Sequence, residues 1–210
     1  MPDMPDPGNA RDRSVEDDDT GSVARCRRGD TEAFASLVRK YQKRMLNIAY
    51  RMTGDYDDAC DVVQESFLSA WRAIGKFRGD ARFSTWLTGI VLNHARNRLA
   101  QRAARSRREG ATLDEPAHSA DGKFGDGLCS QGASPADRLE KRELEARVQE
   151  CIGRLDGDQR EIIVLRDIQG FSYEEIGAML KMSVGTVKSR LFRARSALKD
   201  CLRPLFGDLK

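Results

Sequence analysis

The chain has 210 residues, room for one large domain or two small ones, with 40% of them apolar and 33% charged. That balance supports small packed cores under a charged exterior, and the longest apolar stretch, around Trp86 to Leu92, is far too short to span a bilayer. The formal net charge of +3 conceals segregation. Asp55, Asp57, Asp58, Asp61 and Glu65 crowd one segment without a base among them, whereas Lys76, Arg78, Arg82, Arg96, Arg98, Arg102, Arg105, Arg107 and Arg108 face Asp80 alone. Such asymmetry suggests a polyanion for the basic faces and a protein for the acidic one.

Residues 1–28 are rich in Pro, Asp and Arg and read as a disordered acidic leader, with no apolar core of a signal peptide. Residues 29–106 read as a helical domain. From Asp30, Phe34, Leu37, Val38, Tyr41, Met45, Ile48, Ala49 and Met52 recur at three- and four-residue steps, the stripe of a buried helix face, and Gly54 ends it. Asp55 opens a second helix striped by Ala59, Val62, Val63, Phe67, Ala70, Trp71 and Ile74, closed by Gly75. After a loop from Lys76 to Phe83, Ser84 can cap a third helix with Trp86, Leu87, Ile90, Val91, Ala95 and Leu99 inward.

Residues 107–134 are interrupted by Gly110, Pro116, Gly122, Gly125, Gly127 and Gly132 and read as a flexible linker. A second domain, 135–205, starts at Ser134-Pro135, a cap followed by proline at the first helical position. Leu139, Leu144, Val148, Ile152 and Leu155 stripe its first helix; Asp156 with Gln159 suggests a capping box for the next, which carries Ile162, Ile163, Leu165 and Ile168 up to Gly170. No strand alternation appears, so the expected fold is all-α: two small helical domains joined by a linker. The five cysteines are widely spaced and form no C-x-x-C, so neither a disulfide framework nor a zinc ribbon is expected, which fits a reducing compartment and a cytoplasmic location. His94 and His118 have no metal-ligand neighbour at useful spacing; no metal or cofactor is expected.

The strongest pattern runs from Phe171 to Arg195. Ser172 and Glu175 make a capping box, Ile176, Met179 and Leu180 face inward, and Lys181-Met182-Ser183 is a tight turn. Ser183 caps a second helix whose stripe is Val184, Val187, Leu191, Ala194 and Leu198. Outside that stripe lie Thr186, Lys188, Ser189, Arg190, Phe192 and Arg193. Short donors and long cations on an exposed helix suit the major groove, where Arg and Lys reach base edges and phosphates. The expectation is a helix-turn-helix that binds duplex DNA.

Tyr173 to Arg195 resembles the promoter-reading module of extracytoplasmic-function (ECF) sigma factors of bacterial RNA polymerase. Asp61 to Trp71 resembles the helix with which those factors grip the coiled coil of the polymerase β′ subunit, and Phe77 to Leu87, with Asn93 and Asn97 beyond, resembles their promoter-opening region. The likeness covers about residues 30–105 and 135–203, in the family's order. It implies a transcription-initiation subunit, active in stress responses, that binds core polymerase at the β′ coiled coil and β flap, binds promoter DNA, and is held by an anti-sigma factor. It places −35 recognition on Thr186, Lys188, Ser189, Arg190, Phe192 and Arg193. It places −10 opening on Phe77, Arg78, Arg82, Phe83, Trp86, Asn93, Arg96 and Asn97, and polymerase binding on Asp58, Asp61, Gln64 and Glu65. Trp86 also fits the apolar core. No P-loop, nucleophile elbow or metal cluster appears, so no catalytic residue is expected. The competing class is an activator or repressor that binds DNA without being a polymerase subunit. It would need a sensory domain, for which no strand-helix alternation exists. A DNA-modifying enzyme would need more acidic ligands than Asp80.

Overall fold

The computed structural model describes residues 19–108 and 135–206, and among these are eight helices and no strand. In the N-terminal half, α2 (Thr31–Thr53), α3 (Tyr56–Ala73) and α4 (Phe83–Arg108) pack against one another. The apolar stripes read from the sequence meet there: Leu37, Met45, Ile48 and Met52 of α2, Val62, Phe67 and Ala70 of α3, and Leu87, Val91, Leu92 and Ala95 of α4 are all buried. Local chemistry sets the boundaries. The Asp30 carboxylate accepts from the Ala33 amide at 3.0 Å, and Asp55 does the same for Asp58 at 2.9 Å. Gly54 closes α2 at φ 75°, a left-handed conformation that glycine adopts without cost.

Two expectations fail in this half. Part of the leader is helical: α1 (Thr20–Arg27) buries Val23 and Cys26, and the buried Asp19 carboxylate before it binds Lys40 Nζ at 2.7 Å and the Tyr41 hydroxyl. A short helix with few apolar residues leaves little periodic trace; its anchor is tertiary. Ser84 is also not the cap of α4, because the helix begins a residue earlier. The Trp86 amide donates to the Arg82 carbonyl at 3.1 Å, and Ser84 is buried in the first turn.

The C-terminal half comprises α5 (Pro135–Gly153), α6 (Gly157–Ile163), a wide turn Val164–Ile168, α7 (Tyr173–Leu180) and α8 (Val184–Phe206). Ile152, Leu155, Ile162, Ile163, Val164, Leu165, Phe171, Ile176, Val187, Leu191 and Ala194 form its core. The cover is thinner than expected: Leu139 and Leu144 of α5 are 60% and 39% exposed, and Ile168 is 37% exposed. In α5 the apolar stripe outruns the domain it packs on. At Ile168 the wide turn rotates the chain, with the Gln169 amide reaching back to Val164 at 3.0 Å. Asp156 precedes α6 but makes no side-chain cap bond. Against expectation, Cys151 and Cys201 are joined by a disulfide, 50 residues apart in sequence, a separation that gives no local signature. Of the linker expected at 107–134, residues 107 and 108 end α4 and the rest lies outside the described residues.

Candidate nucleic-acid interface

Helices α7 and α8 are held at their angle by backbone closure. The capping box is complete: the Glu175 amide donates to Ser172 Oγ at 3.1 Å and the Ser172 amide to Glu175 Oε2 at 2.9 Å. Lys181 turns the chain in the left-handed region at φ 54°, and the Met182 amide donates to the Gly177 carbonyl at 3.0 Å. A Cβ on Gly177 would lie 2.8 Å from the Met182 carbonyl oxygen, so this position admits no side chain without opening the turn. Ser183 then caps α8 through the Thr186 amide at 3.2 Å. The inward stripe of α8 is Val187, Leu191 and Ala194, with Val184 and Leu198 half-buried.

The opposite face of α8 is open. Lys188, Ser189 and Arg193 are exposed, and Phe192 is 76% exposed. Lys188 Nζ stands 5.5 Å from the centre of the Tyr173 ring, a cation–π contact on an exposed side chain. Three expected contacts are engaged within the protein. Arg190 pairs with Asp158 of α6, and the Thr186 hydroxyl shares a hydrogen bond with Ser183 Oγ at 2.9 Å. Ser189 Oγ donates to the Thr186 carbonyl at 3.0 Å. The face thus offers Lys188, Phe192 and Arg193 directly, and Arg190 on exchange of its carboxylate partner.

On α3 the acids divide into two sets. Asp58 is half-buried and lies 3.4 Å from Arg98 and 3.8 Å from Arg102 of α4, so it ties helices together. Asp61 also meets Arg98, at 2.9 Å, but stays mostly exposed; Glu65 is exposed and 3.3 Å from His94 Nδ1, whose Nε2 shares a hydrogen bond with Ser69 at 3.0 Å. Gln64 is exposed. Leu68 is 50% exposed at the same helical face as Asp61, Gln64 and Glu65. Sequence reading passed over it, although an apolar residue outside the α3 stripe was the signal. An acidic face with one apolar anchor fits a basic protein surface better than it fits DNA.

Of the residues expected to open the promoter, Phe77, Arg78, Trp86 and Asn93 share one cleft and Arg82, Phe83, Arg96 and Asn97 do not line it. Phe77, Arg78, Asp80, Trp86, Asn93 and His94 line a cleft of about 720 Å³ whose other wall is Ala178 and Met179 of α7. Phe77, Phe83 and Trp86 stack on one another with ring centres 5.0 to 6.0 Å apart. Phe83 is buried against Tyr41 as a core ring, while Phe77 and the half-buried Trp86 reach the cleft. Arg78, Arg82, Asn93, Arg96 and Asn97 are exposed.

Arg96 is also tied across the seam between the halves. Its guanidinium donates to both oxygens of the buried Glu161 of α6, at 2.5 and 2.6 Å, and those bonds push Arg96 above its ordinary pKa. Nearby, Thr85 Oγ1 lies 3.5 Å from Glu175. The C-terminal end of α2 is capped from the other half as well: Gln149 Nε2 donates to the carbonyls of Tyr50 and Arg51 at 3.3 and 3.4 Å, and Arg160 donates to that of Met52 at 2.7 Å. Arg160 simultaneously holds the carbonyls of Ile152 and Leu155, each at 3.2 Å, so one guanidinium closes two helix ends; burial lowers its pKa. Arg44 donates to Gln169 and lies 4.9 Å over the Phe171 ring. None of these pairings was anticipated, since nothing in either partner's neighbourhood marks it.

No group of His, Cys, Asp and Glu among the described residues could hold a metal, and no helix among them is long and apolar enough to cross a membrane. The family description of sigma-70 region 2 matches residues 37–105, and that of sigma-70 region 4 matches 145–198. The RNA polymerase sigma-H factor of Pseudomonas aeruginosa is 40% identical over 194 residues, covering 92% of this chain and 98% of that protein. The ECF RNA polymerase sigma-E factor of Escherichia coli K12 is 39% identical over 183 residues, 87% of this chain and 93% of its own. Among solved structures, CnrH in complex with the cytosolic domain of CnrY is 30% identical with a TM-score of 0.64, covering 89% of this chain and 97% of that one. Sigma factor RpoE from Bartonella quintana, solved with the anti-sigma factor NepR, shares the fold at 24% identity and a TM-score of 0.61, over 81% and 96% of the two chains. With both halves matched in the order expected, the chain belongs to the ECF group of the sigma-70 family.

Proposed function

We propose that this ECF sigma factor assigns its promoter contacts to two surfaces and its polymerase contact to a third. The −35 element is read by α8 through Lys188, Phe192 and Arg193, with Ser189 and Arg190 divided between bases and phosphates and Thr186 on the backbone. The −10 element is opened at the cleft by Arg78 and Asn93, with Arg82, Arg96 and Asn97 exposed outside its lining. Phe77 and Trp86 offer ring faces to an extruded base, whose removal from the stack costs a few kcal/mol. Asp61, Gln64, Glu65 and Leu68 dock on the β′ coiled coil. By this reading 29–106 and 135–205 are the working domains, the polymerase performs the chemistry, and the protein acts in the cytoplasm. The observation that carries it is the open basic face of α8 on the same chain as the acidic face of α3, because a free-standing repressor needs only the first.

The seam adds a requirement. Elements near −10 and −35 are about 25 base pairs apart, roughly 85 Å along B-form DNA. The longest helix among the described residues, α4 with 26 residues, spans only about 39 Å, and the cleft shares a wall with α7. The closed arrangement therefore reaches one element at a time, and initiation separates the halves. A protein that stabilises the closed form silences the factor, and the complexes in which CnrH and RpoE were solved support an anti-sigma partner here.

The test is transcription in vitro with core polymerase on promoters changed one base at a time. Lys188→Ala or Arg193→Ala should relax preference at single −35 positions, each by about 1–3 kcal/mol, and Glu65→Lys should weaken polymerase capture by a folded protein. Unchanged −35 preferences in both α8 variants, with altered preference near −10, would place the reading head on the wrong helix.

A further inference from the structure

Cys151 lies near the end of α5 and Cys201 near the end of α8, with α-carbons 5.8 Å apart and the sulfurs bonded. Cys151 is buried and Cys201 half-buried, so Cys201 is the less enclosed residue of the pair. The bond sits at the buried end of α5, beside Ile152 and Leu155 of the C-terminal core. Leu139 and Leu144 of α5 face solvent, and Gln149, two residues before Cys151, is committed to the carbonyls that end α2. The covalent link ties this buried end of α5 to α8, while the opposite end of α5 stays in solvent. The other described cysteines are placed differently. Cys26 is buried among apolar residues, which raises its thiol pKa and makes it a poor nucleophile, and Cys60 stands on α3 beside Tyr56. A transcription subunit works where thiols are kept reduced, and a disulfide formed there is as a rule transient and redox-sensing.

We propose that Cys151 and Cys201 are a reversible thiol-oxidation site, responsive to low-molecular-weight disulfides, whose bond locks α5 onto the C-terminal end of α8; the setting, though not the site, rests on the sigma-factor reading. In the forward direction the more accessible Cys201 loses its proton and attacks one sulfur of the small disulfide. That S–S bond breaks, and one thiolate leaves and takes up a proton. The Cys151 thiolate then attacks Cys201 Sγ in the mixed disulfide, forms the intramolecular bond and expels the second small thiol, protonated in turn. Two protein thiols are oxidised and one small disulfide is reduced to two thiols, two electrons in all. A dithiol reverses the sequence by attacking Cys201 first. Closing a chain segment of this length restricts the unfolded state, so the oxidised form is the more stable.

The experiment equilibrates the full chain in glutathione buffers of stepped thiol-to-disulfide ratio, alkylates free thiols with iodoacetamide, and reads Cys151 and Cys201 by peptide mass alongside the thermal midpoint. The two cysteines should become protected together as the ratio turns oxidising and return on reduction. The midpoint of the C-terminal transition should fall by roughly 10 °C or more between oxidised and reduced protein. Cys201→Ser and Cys201→Ala in oxidising buffer should match reduced parent and lose all dependence on the ratio, while Cys60→Ser behaves as parent. The proposal is overturned if both thiols stay alkylatable at the most oxidising ratio, if the bond survives dithiothreitol in the native protein, or if it forms without moving the midpoint. Promoter-directed transcription with core polymerase, run in reducing buffer, separates the two readings: its failure beside a normal redox titration counts against the sigma assignment and leaves the thiol site standing.

Discussion

The two halves of this protein solve the same problem, burying helix faces, by different means. In the N-terminal half long helices present wide stripes, and Leu37, Met45, Ile48, Met52, Val62, Leu87 and Leu92 are among the largest fully buried side chains of the described residues, beside Ile152, Ile162, Ile163, Leu165 and Ile176 of the other half. The C-terminal half builds with shorter elements, α6 of seven residues and α7 of eight, leaves apolar residues of α5 in solvent, and relies on a capping box, a glycine-closed turn, a guanidinium on carbonyls and a disulfide. Apolar burial stabilises in proportion to area removed from water and tolerates volume-conserving exchange. Polar closures are local and specific, and each fails as a unit when one atom is lost. The half to which we assign −35 reading is thus one where such closures set the angle between its helices.

That contrast can be broken most forcefully in the large core. Met45→Ala, at a position with no solvent exposure, should cost about 2–5 kcal/mol, seen as a lower denaturant midpoint of the N-terminal transition. A loss below 1 kcal/mol would show that this core repacks freely. Gly177→Val comes next. Forcing a side chain against the Met182 carbonyl should cost about 1–3 kcal/mol and also abolish −35 binding in a gel-shift assay, because the angle of α8 changes.

A smaller effect sharpens the comparison. Asp55 caps α3 through a hydrogen bond and Asp156 precedes α6 without one, so Asp55→Ala should cost about 1 kcal/mol and Asp156→Ala well under half of that. Equal losses in urea titrations would mean that both caps form in solution. Least of all, Leu139→Ser should stay within about 0.5 kcal/mol of parent, since 60% of that side chain is already in water; a clear loss would show a partner on α5.

How far the sequence spoke depended on whether a signal was local. Caps and their helices were legible at Asp55, Ser172 and Ser183, because a cap and its amide are three residues apart, and the stripes of α2, α3 and α4 were legible because a 3.6-residue period survives in the order of residues. The face of α8 that holds Lys188, Arg190 and Arg193 was legible by the same logic, as what the stripe leaves over. Legibility ended where partners are distant. Cys151 and Cys201, Arg96 and Glu161, and Arg160 and the Met52 carbonyl are each joined across more than forty residues, and no short pattern announces such a meeting. Ser84 and Asp156 failed for a further reason. Each has the right chemistry for a cap, but α4 starts a residue before Ser84, and Asp156 holds the cap position of α6 without turning its carboxylate onto an amide.

The division of α8 into an inner and an outer face has a bearing on how such factors diversify. Lys188, Ser189, Phe192 and Arg193 bear little of the packing that fixes the helix, which falls to Val187, Leu191 and Ala194. Exchanges on the outer face therefore fall in the class that alters folding free energy least, while under the proposed −35 reading each changes which base is preferred. A duplicated gene could drift to a new set of promoters through single substitutions there, each intermediate remaining a folded protein, whereas drift on the inner face would be removed by selection before it reached a new specificity.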